Sequence, residues 1–135
     1  MRILPLLLAA ATASPAFAAT PIAGAWRTQN GKAIVTIGAC GAAQCGRISQ
    51  ILKPDGPGPA LDRYNPDPKL RTRPILGLAI LTGFVDKGSD WRGQIYSPEE
   101  GKTYKSILTR LSDGRLKVQG CILFFCQTQY WTREG

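Results

Sequence analysis

From about residue 20 onward, apolar and polar positions alternate in short runs broken by glycine, proline and asparagine, with a period of two rather than that of a helix. Leu116 and Val118 fall on one side of such a run and Lys117 and Gln119 on the other, while Ala33, Val35 and Ile37 alternate with Ile34 and Thr36. The first predicted strand, Ile22 to Gln29, ends at Asn30-Gly31, the strongest short hairpin signal. Lys32 to Cys40 and Cys45 to Leu52 follow, then a proline-rich excursion from Pro54 to Pro74. Ile75 to Val85, Trp91 to Tyr96, Lys102 to Leu111, Arg115 to Cys121 and Cys126 to Arg133 complete eight strands, separated by turn-forming clusters such as "SPEEG" and "SDG". Eight short hairpin-linked strands in one small domain predict an all-β antiparallel barrel or sandwich. An eight-stranded barrel is either nearly filled by its own side chains or holds one small ligand.

The first 18 residues, "MRILPLLLAAATASPAFA", break this pattern. Arg2 supplies a positive start, Ile3 to about Ala13 an apolar stretch, and Ala16-Phe17-Ala18 an A-x-A cleavage motif, so residues 1–18 are expected to be a removed signal peptide and 19–135 a single barrel domain. A spanning helix needs about 20 apolar residues, and Pro5 and Pro15 interrupt this run. No cysteine near the cleavage point offers a lipid anchor, and no second apolar span follows. The expected product is soluble and periplasmic or secreted, with no transmembrane segment in the mature chain.

Export changes how the four cysteines are read. Cys40 and Cys45 enclose "GAAQ", and Cys121 and Cys126 enclose "ILFF". Neither spacing is the C-x-x-C of a redox motif or of a zinc knuckle, and an oxidising compartment favours two disulfides. Local pairs, Cys40 with Cys45 and Cys121 with Cys126, are preferred, because cysteines flanking a four-residue hairpin loop face each other; the chief alternative crosslinks the two hairpins. Charge adds less. The 17 basic residues, Arg2 among them, exceed the 9 acidic ones but are scattered without a run of five, which indicates solubility and no nucleic-acid partner.

The segments "GAWRTQNGKAIVTI", "CGAAQCGRI", "DRYNPDPKLRTRPILGLAIL", "GQIYSPEEGKTY" and "GCILFFCQTQYWTR" together resemble a family of small secreted bacterial proteins catalogued as domain of unknown function 2147, whose fold is calycin-like, that is, lipocalin-like. Gly24-Ala25-Trp26 resembles the G-x-W of calycins, and Arg133 stands where those proteins supply an arginine that packs over the tryptophan. The resemblance spans nearly all of residues 22–133 and implies a small eight-stranded barrel and bacterial export, with Trp26 and Arg133 structural at the closed end. It implies no established activity.

Candidate chemistry is sparse. The chain has no histidine, which removes the commonest general base and triads built on it. Asp62 with Asp67 and Glu99 with Glu100 are the close carboxylate pairs, and both occupy turns where acidic residues are expected as turn formers. No catalytic residue, metal ligand or cofactor is therefore assigned, and an enzyme is not expected. The densest polar segment, Asp62 to Pro74, reads in two ways. It is a folded flap in which Asp62 and Asn65 form side-chain turns and Arg71 or Arg73 pairs with a carboxylate, or it is a polar lid whose arginines bind an anionic ligand group. The aromatic residues Trp26, Trp91, Tyr96, Tyr104 and Trp131 are expected mostly in the core, with some lining a cavity. The candidate ligand set is Asp62, Asn65, Arg71, Arg73, Trp91, Tyr96 and Tyr104.

Ile122, Leu123, Phe124 and Phe125 are unusual for a hairpin apex, which normally faces water; they are expected to fold inward as a plug, or otherwise to form an interaction tip. The functional expectation is a non-enzymatic exported binding module for a small apolar, amphipathic or anionic ligand or an envelope component. The alternative is a structural or interaction protein with a filled barrel, whose apolar tip contacts a protein or membrane.

Overall fold

A computed structural model describes residues 2–5 and 18–135, so most of the predicted leader, including Ala16 and Phe17 of its cleavage motif, lies outside the described residues. The strands are β1 (Gly24–Arg27), β2 (Ala33–Cys40), β3 (Ala43–Ile51), β4 (Ala79–Asp86), β5 (Trp91–Ser97), β6 (Lys102–Arg110), β7 (Leu116–Ile122) and β8 (Phe125–Arg133). Each pairs antiparallel with its successor, and β8 returns to β1 to close an eight-stranded barrel. The closing seam is short: Trp26 lies opposite Arg133 and Arg27 opposite Thr132. Among the described residues no helix is long and apolar enough to cross a membrane.

Most strand ends shift by one or two residues from the sequence expectation, and two of the differences, at the starts of β4 and β3, have a clear structural consequence. β4 begins at Ala79 rather than Ile75, because Ile75 donates its N–H to Ala60 O (3.0 Å) and Pro74 bridges to Leu61, which commits residues 74 and 75 to the loop's own pairing. β3 begins at Ala43 rather than Cys45, with Gly41 and Ala42 forming the turn. Cys40 therefore faces Ala43 and Cys45 faces Gly38, so that disulfide runs diagonally, with Cα atoms 5.5 Å apart. Cys121 and Cys126 are directly opposed, with Cα atoms 4.0 Å apart, and the next pair, Ile122 with Phe125, leaves only Leu123 and Phe124 in the turn.

The core fills the lower half of the barrel, the end that carries the 86–91 and 110–116 connections. Trp26, Val35, Ile37, Leu81, Phe84, Leu108, Leu116, Val118 and Trp131 form one buried cluster. Full burial of a large aliphatic or aromatic side chain is worth about 1.5 to 3 kcal/mol, so this cluster is the main source of stability. Residues 19–23 cross beneath it: Ile22 is buried, and its carbonyl accepts from Trp26 Nε1 at 2.9 Å. The guanidiniums of Arg133 and Arg110 stand over the Trp26 ring at 5.3 and 4.9 Å from its centroid. Gly24 explains itself here. Its φ is +131°, and a Cβ at that position would lie 2.6 Å from Arg133 Cζ, so the arginine occupies the space a side chain would need.

Candidate functional site

The upper end is formed by the 28–32 turn, the long 52–78 loop, the 97–101 turn and the β7–β8 hairpin apex. Within the long loop, residues 61–74 make a flap held by one buried carboxylate. Asp62 Oδ1 accepts from the Tyr96 hydroxyl at 2.5 Å, and Oδ2 accepts from Asn65 Nδ2 and Arg73 Nε, each at 2.8 Å. Burial pushes the Asp62 carboxyl upward, but the hydrogen bonds from Tyr96, Asn65 and Arg73, with the arginine's charge, outweigh it and hold the group below the usual carboxylate range. Tyr96 moves the other way: burial and its bond to Asp62 raise the phenol. Arg71 Nε donates to Asn65 O at 2.8 Å, and Asp67 caps the short Pro68–Leu70 turn through Lys69 N. Gly101, with φ +67°, lets the flap lie against the 97–101 turn, since a Cβ there would sit 1.8 Å from Tyr64 O.

Four of the predicted ligand residues, Asp62, Asn65, Arg73 and Tyr96, are thus brought together, and they satisfy one another. Trp91 lies at the opposite end, its indole Nε1 donating to Thr20 O at 3.0 Å. Tyr104 lines a recess of about 90 Å³ with Ile95, Gly120 and Gln127, its hydroxyl donating to Glu100. The two carboxylate pairs separate: Asp67 caps a turn while Asp62 anchors the flap, and Glu99 reaches Lys32 while Glu100 takes Tyr104.

Beside the flap the barrel is open. A cavity of about 180 Å³ enters the upper end, lined by Val35, Ile48, Ile51, Ile75, Ile80 and Ile95, with Trp131 reaching it from the core. Its rim is charged. Lys32 on the first turn bridges to Asp55 on the long loop (3.0 Å) and to Glu99 on the 97–101 turn (3.6 Å), and Lys53 also lines the opening. Gln129 faces both this cavity and the Tyr104 recess and accepts from Trp131 Nε1 at 3.0 Å. Ser106 is buried with its hydroxyl unpaired among the described residues. The rim residues escape a sequence reading because loop lengths alone do not say which turns meet. One signal was available: Gln127, Gln129 and Trp131 share a face of β8, and two glutamines at inward positions mark a wall that core does not fill.

The apex of the β7–β8 hairpin corrects the inward plug. Leu123, Phe124 and Phe125 are 88, 97 and 82% exposed, and Ile122 is 55% exposed. Beyond the opposed Cys121 and Cys126, Ile122 pairs with Phe125, which leaves a two-residue turn too short to fold back over the mouth. Leu123 adopts φ +53°, the left-handed region normally left to glycine, so an apolar side chain is kept at the apex at a conformational cost.

Over residues 24–133 the sequence matches the family described as "Uncharacterized protein conserved in bacteria (DUF2147)". No curated protein matches it. Among solved structures, protein HP1028 from the human pathogen Helicobacter pylori, described as belonging to the lipocalin family, superposes with a TM-score of 0.75 at 23% identity, over 85% of this chain and 84% of that one. The shared feature is the eight-stranded lipocalin-like barrel.

Proposed function

The chain belongs to the conserved bacterial family DUF2147, and on that premise we propose that it is an exported, non-enzymatic binding module whose half-filled barrel holds a small amphipathic molecule. The observation that carries this reading is the cavity above the core, apolar in its depth and charged at its rim. Ligand pockets for drug-sized molecules run to roughly 300–1,000 Å³, so a space of about 180 Å³ suits a short acyl chain or a single ring system. Lys32 and Lys53 would stand beside an anionic head group, and the exposed ion pairs of Lys32 can be exchanged for it at little cost. Two local disulfides suit an oxidising compartment, which supports export and a periplasmic or secreted location. Native mass spectrometry of protein purified from its own host tests the reading: a reproducible small-molecule adduct is expected, and it should vanish in Ala33→Trp, which fills the mouth. A clean apo mass from the host would overturn it.

A second reading rests on the hairpin apex. An exposed cluster of two phenylalanines, a leucine and an isoleucine is convex, and Lys105 lies opposite Cys121 at its base. These features suit shallow insertion into an anionic membrane surface. Co-sedimentation with anionic vesicles should fall when Phe124 and Phe125 are replaced by serine; unchanged sedimentation would sink this reading and leave the binding module standing.

A further inference from the structure

We propose that Asp86 is a docking site for the α-ammonium group created when the leader is cut at the Ala18–Ala19 bond. The backbone nitrogen of Ala19 donates to both Asp86 oxygens, at 3.0 and 3.2 Å, and Gly88 N donates to Oδ1 at 2.8 Å. Ala18 is exposed and Ala19 is buried, so the boundary between solvent and protein falls on this bond. The next residues are fastened to the barrel as well: Thr20 O accepts from Trp91 Nε1, and Ile22 O from Trp26 Nε1. The A-x-A motif and the burial boundary select the same bond independently.

Cleavage by a membrane-bound signal peptidase consumes one water. The amide bond breaks, the hydroxyl goes to the Ala18 carbonyl carbon and the hydrogen to the Ala19 nitrogen. The new carboxyl then releases its proton to that nitrogen, leaving a carboxylate on the leader and an ammonium on Ala19. Before cleavage Ala19 offers Asp86 a single neutral N–H; afterwards it offers a positive charge and three N–H groups at the same position, and charge-assisted bonds are roughly twice as strong as neutral ones. Hydrogen bonds from Gly88 and from Ala19 hold the Asp86 carboxyl below its usual range, so it is ionised and ready at neutral pH. Processing thereby tightens the strap that covers the lower end, which the precursor holds only by the weaker neutral bond while it is still being exported.

The inference rests on the export part of the proposed function, which N-terminal mapping tests on its own. Intact mass and N-terminal sequencing of exported protein should place the start at Ala19; a start elsewhere overturns the cleavage site whatever Asp86 does. Docking is tested by comparing the Ala19 form with a cytoplasmically produced, oxidatively refolded form that retains one residue before Ala19. Asp86→Asn should lower Tm by roughly 3 to 6 °C more in the first form than in the second, and the extended wild type should melt below the Ala19 form. An amine-selective N-terminal reagent should label Asp86→Asn several-fold faster than wild type. Equal Tm losses in the two forms, or equal labelling rates, would overturn docking. If Asp86→Asn does not fold, the comparison of the two wild-type forms and their labelling rates decides the matter.

Discussion

Asp62 is the side chain on which the upper end depends. Its carboxylate is fully buried and accepts three hydrogen bonds, two of them from groups on the flap and one from the barrel wall. Replacing it with alanine strands Asn65, Arg73 and Tyr96 together, and by the usual cost of losing bonds to a charged group the loss should be about 2 to 3 kcal/mol, read by chemical denaturation. The pH dependence has a definite sign. A carboxyl held below its ordinary value of 3.8 stabilises the fold above that value and loses its contribution as pH falls through the lower folded value. Amide protection factors in residues 61–74, corrected for the intrinsic pH dependence of exchange, should therefore stay high near neutrality and fall only below about pH 3.8; a fall in protection between pH 7 and 5 would contradict the network. At the other end, Arg133→Ala removes a guanidinium from over Trp26 and a donor to Ala23 O, and should cost roughly 0.5 to 1 kcal/mol with a shift in tryptophan emission. Of these residues the Trp26–Arg133 pair is legible beforehand, because the calycin resemblance implies it, G-x-W giving the tryptophan and the last strand the arginine. Arg110 stands over the same ring yet lies at the end of β6, two strands removed from β8, so nothing short of the closed barrel brings it there.

Among the elements, the two disulfide hairpins have equal cysteine spacing and different geometry. Spacing alone predicts local pairing for both but cannot set register, and the tight Gly41-Ala42 turn slides one pair into a diagonal while Leu123-Phe124 leaves the other directly opposed. The same two-residue turn is why the plug fails: "ILFF" reads as four loop residues, but Ile122 and Phe125 belong to strands. Replacing Leu123 with glycine relieves a left-handed side chain and should raise stability by up to about 1 kcal/mol. The double replacement of Phe124 and Phe125 by serine should leave Tm near that of wild type, because neither ring is packed. A fall of many degrees would mean that the rings are buried against the barrel in solution. The long loop is the element read least well, since its prolines announce irregular backbone but not that Leu61 and Pro74 pair and draw Ile75 out of β4.

At the scale of the molecule, the strand count and the antiparallel order follow from period-two runs and turn chemistry. How full the barrel is does not follow from them. That depends on which inward positions carry small or polar residues: Gly120 and Gln127 leave the upper half open, Val118 faces Gln129 at the boundary, and Leu116 with Trp131, lower on the same strands, fills the base. The mouth is spanned by Lys32 with Asp55 and Glu99, a latch between three separate loops. Lys32→Ala should leave thermal stability nearly unchanged, because these pairs are exposed, and should speed the exchange of an environment-sensitive apolar dye into and out of the barrel. Stopped-flow fluorescence reads this directly, and unchanged rates would mean that the latch does not gate the mouth.

The short seam between β1 and β8 gives the barrel a mechanical weak direction. Residues 23 and 134 both leave the barrel at its lower rim, and the β1–β8 ladder is short: residues 26 and 27 pair with 133 and 132, Glu134 N donates to Ala25 O, and the Arg27–Glu134 pair is an external clasp. A force applied between the two termini loads those pairs one after another, as in unzipping, rather than all together, as in shear. In an optical trap a chain beginning at Ala19 should first lose the 19–23 strap and then yield by peeling β1 away from β8 at low force, before any loss of the β2 to β7 wall. Pulling between cysteines engineered into the 28–32 and 111–115 turns would load the long ladders instead, and should require a markedly higher force.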